Sequence, residues 1–271
     1  MGAFLGANTG SGFELCKGFS CYFENFTGFQ KSSKFEKASG KFILSTFAII
    51  MATKMLNSSR PFVFYALFVL AGLILLFFVG RDEFQLFVNR NLTGRVSDRI
   101  FGMLTHLGNG ITAALVAVVL FLFYSFRKGI ALGCAAIVTA IIVQAMKQLI
   151  FHQADRPIKY FHDLGIQDLN WPIGSEALFT YSFPSGHTAT AFVLYFFLIF
   201  TIKKIGMQFL LFSVAILVGY SRIHLSQHFL TDVLAGSAIG FIMAFLAAKW
   251  FLKGGGPRLA GSLLSKKGLE K

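Results

Sequence analysis

Three short stretches place polar and charged groups where an apolar chain has no packing use for them. The first is FHQADRP, entered from Lys147 and carrying Arg156 and Pro157. The second is PSGH, Pro184 to His187, which opens a long apolar run. The third is SRIHLSQHFLTD, Ser221 to Asp232. Lys147, Arg156 and Arg222 are three cations with few carboxylates nearby in sequence, a grouping that fits a phosphate. Arginine offers a fork of donors and lysine a point charge. Ser185 and Gly186 stand at a helix start, where a hydroxyl, an unhindered N–H and the helix dipole favour an anion. His228 and Asp232 lie four apart, so the carboxylate can hold one ring nitrogen and leave the other as a nucleophile. His187 arrives from a different segment and can give a proton to a departing oxygen near neutral pH.

Each group also has a plainer role. A lone cation can anchor a helix end near lipid headgroups, and Asp232 can simply open a helix. Three cations beside two histidines are better explained by a shared anion, because a charge within a span costs several kcal/mol unless paired or hydrated. A metal site is the other candidate, since His224, His228 and Asp232 fall at intervals of four. But HLSQH lacks the glutamate of HExxH, and the cations oppose a divalent ion. Neither metal nor cofactor is expected. His224 reads as a packing or supporting residue, His106, His152 and His162 as loop histidines, and Asp155 as a solvated acid.

The elements that must position these groups are apolar helices. Of 271 residues 55% are hydrophobic and 14% charged, with a mean hydropathy of +0.66; a soluble domain would be about a quarter charged. Six segments qualify as spans: Phe62–Val79, Ile111–Phe126, Gly129–Ile150, His187–Ile202, Ile205–Tyr220 and Val233–Leu252. The expected fold is all-α, a six-transmembrane helix bundle. Arg81–Asn109 mixes apolar and charged residues as an amphipathic stretch at the interface would. Residues 1–55 form a leader, poorly ordered or interfacial, in which the apolar Phe42–Met51 is too short to span. Residues 56–252 form the six-span domain and 253–271 a basic tail. Cys16, Cys21 and Cys134 form no disulfide or metal framework.

The formal charge of +13 raises nucleic acid as a partner, and its distribution removes it. The leader, Arg127-Lys128, Lys203-Lys204 and the tail hold 17 Lys/Arg against four acids, while the opposite connections are neutral overall. The positive side is cytoplasmic by the usual rule, which puts both termini inside and all three stretches on the outer face.

Lys147…Arg156-Pro157, Pro184-Ser185-Gly186-His187 and Ser221-Arg222-x5-His228-x3-Asp232 together resemble the type 2 phosphatidic acid phosphatase superfamily. The resemblance covers about Phe62 to Leu252. It implies that His228 attacks phosphorus and forms a phosphohistidine, that Asp232 orients it, and that His187 protonates the leaving oxygen and later activates water. Lys147, Arg156, Ser185, Gly186 and Arg222 would hold the phosphoryl oxygens. The implied partners are a lipid phosphate and the bilayer of a bacterial-type inner membrane, with the site facing the periplasm. The candidate substrates are phosphatidate, phosphatidylglycerol phosphate, undecaprenyl pyrophosphate and lipid A phosphates. One spacing departs: eight residues separate Lys147 from Arg156, where the family has about six. Either the loop bulges or another cation such as Lys159 substitutes. Two other functions compete, a vanadate-dependent haloperoxidase and a non-catalytic lipid binder or transporter.

Overall fold

The computed structural model describes residues 59–166, 168–170 and 179–253. The expectations for the leader, the Phe42–Met51 segment and the tail beyond 253 lie outside the described residues. All regular structure among the described residues is helical. The helices are α1 (Ser59–Phe78), α2 (Arg81–Asn91), α3 (Arg95–Leu104), α4 (Gly110–Val119), α5 (Phe126–Ala145), α6 (Pro157–Asp163), α7 (Gly186–Thr201), α8 (Ile205–His224) and α9 (Leu230–Lys253). Single π turns extend α4 to Tyr124 and α5 to Ile150.

The six expected spans coincide with α1, α4, α5, α7, α8 and α9, but they are unequal. Four helices are long and apolar enough to cross a membrane alone: Ser59–Phe78, Phe126–Ile150, Ile205–His224 and Leu230–Phe251. α4 reaches that length only when joined to α3 across a 51° bend. The bend falls at Asn109, whose side chain accepts from Thr112 N at 2.8 Å and so starts α4 as a new helix. α7 has 16 residues, about 24 Å at the helical rise, which is less than the hydrocarbon thickness. It can be short because protein encloses it. Phe192, Val193, Leu194, Phe196, Phe197 and Ile199 are all fully buried.

α7 packs against α9, α8 and α5. Its approach to α9 depends on Gly236 and Gly240, one turn apart. A Cβ on Gly236 would stand 2.4 Å from Ser185 O, and one on Gly240 2.3 Å from Ala189 O. Neither backbone atom can yield, so only glycine lets the two helices come this close. α1 docks on the outside of this pair, with Tyr65 stacked on Phe241 at 4.0 Å between centroids.

The Arg81–Asn109 segment forms α2, α3 and a 3-10 turn over Thr105–Gly108. Its faces are disposed opposite to those of a water-soluble amphipathic helix. Gln85, Asn89 and Asp98 are buried, while Phe87, Val96, Ile100 and Met103 are exposed. Gln85, Asn89 and Asp98 turn inward toward the end of α8 and the loop after it, beside the buried Val88, while Phe87, Val96, Ile100 and Met103 face outward.

Candidate active site

α5 ends, α7 begins, α8 ends and α9 begins at one end of the bundle, because successive helices alternate in direction. That end gathers the three stretches. The extended residues around Arg156 pair with those before α7: Arg156 N donates to Phe179 O at 2.9 Å and Ser182 N to Ala154 O at 2.9 Å. Pro157 then opens α6, at the position where its missing N–H leaves no bond unmade. Ser185 precedes α7, and its N–H donates to Asp232 O at 3.0 Å, which joins the PSGH turn to α9.

The third stretch does not form a continuous helix. α8 stops at His224 and α9 starts at Leu230. Between them the chain turns back, with Gln227 N and His228 N both donating to Arg222 O at 3.0 and 3.2 Å. Ser226 sits at φ 49, a left-handed conformation that costs energy for a non-glycine residue unless its surroundings hold it. They do: Asn89 Nδ2 donates to Ser226 Oγ at 3.0 Å, and Gln85 Nε2 to Ile223 O at 3.0 Å. The break also separates the residues considered for a metal. His224 Nε2 lies 3.0 Å from Asp98 Oδ1, whereas His228 faces Asp232.

His228 Nδ1 is 3.5 Å from Asp232 Oδ2. The same carboxylate oxygen accepts from Ser182 Oγ at 2.6 Å and from Phe229 N at 3.0 Å. With two other donors fixing it, Asp232 can orient the imidazole through Nδ1, which leaves Nε2 as the nitrogen with a lone pair. His228 is buried, and burial drives its pKa down to about 3. Contact with Asp232 pulls the other way, but the fields of Arg222 and Arg156 add to the lowering. The ring is therefore neutral at physiological pH.

The cations surround this pair. Arg156 is buried and held by neutral oxygens: Nε donates to Thr180 O at 3.0 Å, and one terminal nitrogen to Gln227 Oε1 at 2.6 Å and Gln227 O at 3.2 Å. Arg222, also buried, donates to Thr105 Oγ1 at 2.7 Å. Lys147 lies within the electrostatic reach of Arg156, Arg222 and Asp232. His187 feels Arg222, His228, Lys147 and His106. Ser185 is fully buried, its Oγ accepting from Thr188 Oγ1 at 2.9 Å. At Gly186 the nearest atom to an added Cβ would be Val143 Cγ1 at 3.7 Å. Protein packing does not require a glycine there.

The long spacing before Arg156 has a structural account. Lys147 sits in the π turn over Met146–Ile150, where Phe151 N reaches back five residues to Met146 O at 2.9 Å. A π turn takes up one extra residue, and the turn closed by Ala154 N on Phe151 O at 3.1 Å follows it. Lys159 instead holds Asp155 at 2.9 Å and Asp163 at 3.0 Å. Lys147→Ala is accordingly expected to lower kcat/KM by about 100-fold, on the scale of a lost charge-assisted contact, and Lys159→Ala to leave it within about twofold, as for a surface pair. Phosphate-release kinetics on the two variants check this.

Among the other histidines, His162 lies on α6 beside Asp163 at 3.6 Å rather than in a loop. His106 lies on the exposed 3-10 turn, and His152 is an exposed loop residue. Asp155 is paired with Lys159 rather than simply solvated. Several residues at the site were not singled out from sequence: Ser182 on Asp232, Gln227 on Arg156, Thr105 on Arg222, and the clamp from Gln85 and Asn89. The last pair had a signal, two amides one turn apart within an otherwise apolar or charged stretch.

Residues 128–255 match the PAP2 superfamily. A stretch of 76 residues is 41% identical to phosphatidylglycerophosphatase B of Bacillus subtilis, covering 25% of this chain and 37% of that protein. Another of 72 residues is 36% identical to lipid A 4'-phosphatase of Porphyromonas gingivalis, covering 27% and 30%. The chain thus matches about a third of the length of these relatives. The crystal structure of Aquifex aeolicus LpxE superposes with a TM-score of 0.53 at 28% identity, over 62% of this chain and 94% of that one. The chain is a membrane protein whose residues 128–255 are similar to the PAP2 superfamily.

Proposed function

We propose that this PAP2-superfamily chain hydrolyses phosphate esters or anhydrides of membrane lipids through a phosphohistidine on His228, without a metal. The observation that carries the reading is the His228–Asp232–Ser182 arrangement set among Lys147, Arg156 and Arg222. The named relatives, a phosphatidylglycerophosphatase and a lipid A phosphatase, support lipid phosphates as the substrate class.

In this mechanism the lipid phosphate enters the cradle, its oxygens on Lys147, Arg156, Arg222 and the N–H groups at the start of α7. His228 Nε2 attacks phosphorus as the bond to the lipid oxygen breaks. His187 gives that oxygen a proton. The neutral His187 then takes a proton from water, the resulting hydroxide attacks phosphorus, and the P–N bond breaks to release inorganic phosphate. The sum is one ester and one water converted into an alcohol and phosphate. The permanent cations supply the charge neutralisation that a metal provides elsewhere. On this reading the positive end of the bundle is cytoplasmic and the cradle faces the periplasm.

The test is a phosphate-release panel with purified protein on phosphatidate, phosphatidylglycerol phosphate, undecaprenyl pyrophosphate and lipid A, with and without EDTA. Release from at least one substrate, undiminished by chelator, is the expected result. No release from any of them, or loss in EDTA restored by zinc, would contradict the reading. Halide oxidation with vanadate and peroxide, in place of release, would identify the haloperoxidase alternative.

The depressed pKa of His228 also bears on stability. Between pH 6.5 and about 3 the unfolded chain binds a proton on this ring that the native chain does not. Stability therefore falls as the pH drops through that window. Thermal unfolding at pH 7 and pH 5 is expected to show a larger loss for wild type than for His228→Asn. Equal losses would mean that the ring is already charged in the native site.

A further inference from the structure

At the end of the bundle away from the cradle, α5 and α9 enclose an apolar cavity of about 380 Å³. Ile130, Cys134 and Val138 line one side, Met243 and Ala247 the other, and Trp250 closes its end. Ile130 to Val138 spans about 12 Å of helix, close to one leaflet's share of the hydrocarbon core. Basic groups lie just beyond the closed end. Arg127 is buried, donates to Trp250 O and lies 4.8 Å from the Trp250 ring centroid. Its Nε has no hydrogen-bond partner among the described residues. Lys128 Nζ sits 5.3 Å from the Phe251 ring, whereas Lys249 lies on another face of α9, over Phe245. The described Asp and Glu residues all fall on segments at the cradle end, so among the described residues no acid lies beside these cations.

We propose that this groove is a binding site for an anionic phospholipid distinct from the substrate, with one acyl chain between α5 and α9 and the phosphate on Arg127 and Lys128. An apolar slot of one leaflet's depth selects a hydrocarbon chain, an interfacial tryptophan marks the headgroup level, and the basic rim selects negative charge. The site lies about 30 Å along α5 from Lys147. A lipid there is not in position to be hydrolysed; it fastens α5 to α9, the two helices that carry Lys147 and Asp232.

The test uses Trp250 as its own reporter. In full-length protein carrying Trp171→Phe, fluorescence is quenched by brominated phosphatidylglycerol or brominated phosphatidylcholine in mixed vesicles. About a fivefold preference for the anionic lipid is expected, the scale of one basic contact at a membrane surface. Arg127→Gln with Lys128→Gln is expected to reduce that preference to below twofold, with phosphate release retained, and Cys134→Trp, read by lipid co-purification in place of Trp250 fluorescence, to expel the chain. Equal quenching by both lipids in the parent protein, or an unchanged preference in the double variant, would overturn the proposal. Neither outcome depends on the enzymatic reading.

Discussion

Replacing His228 with alanine is expected to lower kcat/KM by at least about 10⁴-fold while the protein still folds and inserts, because losing a covalent nucleophile removes the reaction path. Lys147, Arg156 and Arg222 are cations, Ser185 Oγ accepts from Thr188, and Ser182 Oγ is engaged with Asp232 at 2.6 Å. Asp232→Asn is expected to act through the same ring. It keeps the shape but loses the charge that holds Nδ1–H, so it lowers kcat with little change in KM. The assay is phosphate release on the substrate selected by the panel. A His228→Ala variant with near-normal turnover would remove the nucleophile from the account.

The second large effect concerns the leaving group. His187→Ala is expected to slow hydrolysis of an alkyl phosphate by about 10³-fold, within the range for loss of a general acid. With p-nitrophenyl phosphate, whose leaving oxygen departs without a proton, the loss is expected to shrink to about tenfold, reflecting only the remaining water-activation role. Comparing the two substrates on wild type and variant separates proton donation from simple positioning. Equal losses on both would assign His187 to binding alone. His187 lies within the electrostatic reach of Arg222, His228 and Lys147, the groups that line the proposed cradle.

How far the sequence discloses this site varies from residue to residue. The meeting of Lys147, Arg156, the PSGH turn and the SRIHLSQHFLTD stretch follows from alternating helix direction, and segment counting finds it. The nearness of His228 to Asp232 is legible from their spacing, but its cause is not. The pair was expected on one helical turn, and instead His228 precedes α9 while Asp232 lies inside it. Local hydrogen bonds in a five-residue loop decide that, and no periodicity reports them. The spacing between Lys147 and Arg156 is likewise absorbed by a π turn, which leaves the apolar pattern intact. For the Arg81–Asn109 segment the limit is different. Periodicity shows that a helix has two faces but not which one is covered. Beside lipid the apolar face can turn outward and the polar face inward, so Gln85, Asn89 and Asp98 support the site from within.

The residues that sequence reading passed over are supports rather than reactive groups. Ser182, Gln227 and Thr105 each contact a candidate site residue through a single side-chain oxygen. Serine, threonine and glutamine are common in loops, so nothing local marks them until the fold brings their partners close. The glycines that set the α7–α9 contact are similar. Gly236 and Gly240 matter because of Ser185 O and Ala189 O, atoms about fifty residues away in the chain.

The most direct measurement is rapid acid-free quench of the wild-type protein during turnover of a ³²P-labelled lipid phosphate, followed by peptide mapping. The account predicts transient label on the peptide containing His228, lost in His228→Ala and accumulating in His187→Ala when a p-nitrophenyl substrate supplies the phosphoryl group. Turnover with no label on protein at any time, together with inversion of configuration at phosphorus, would show water attacking directly and would contradict it.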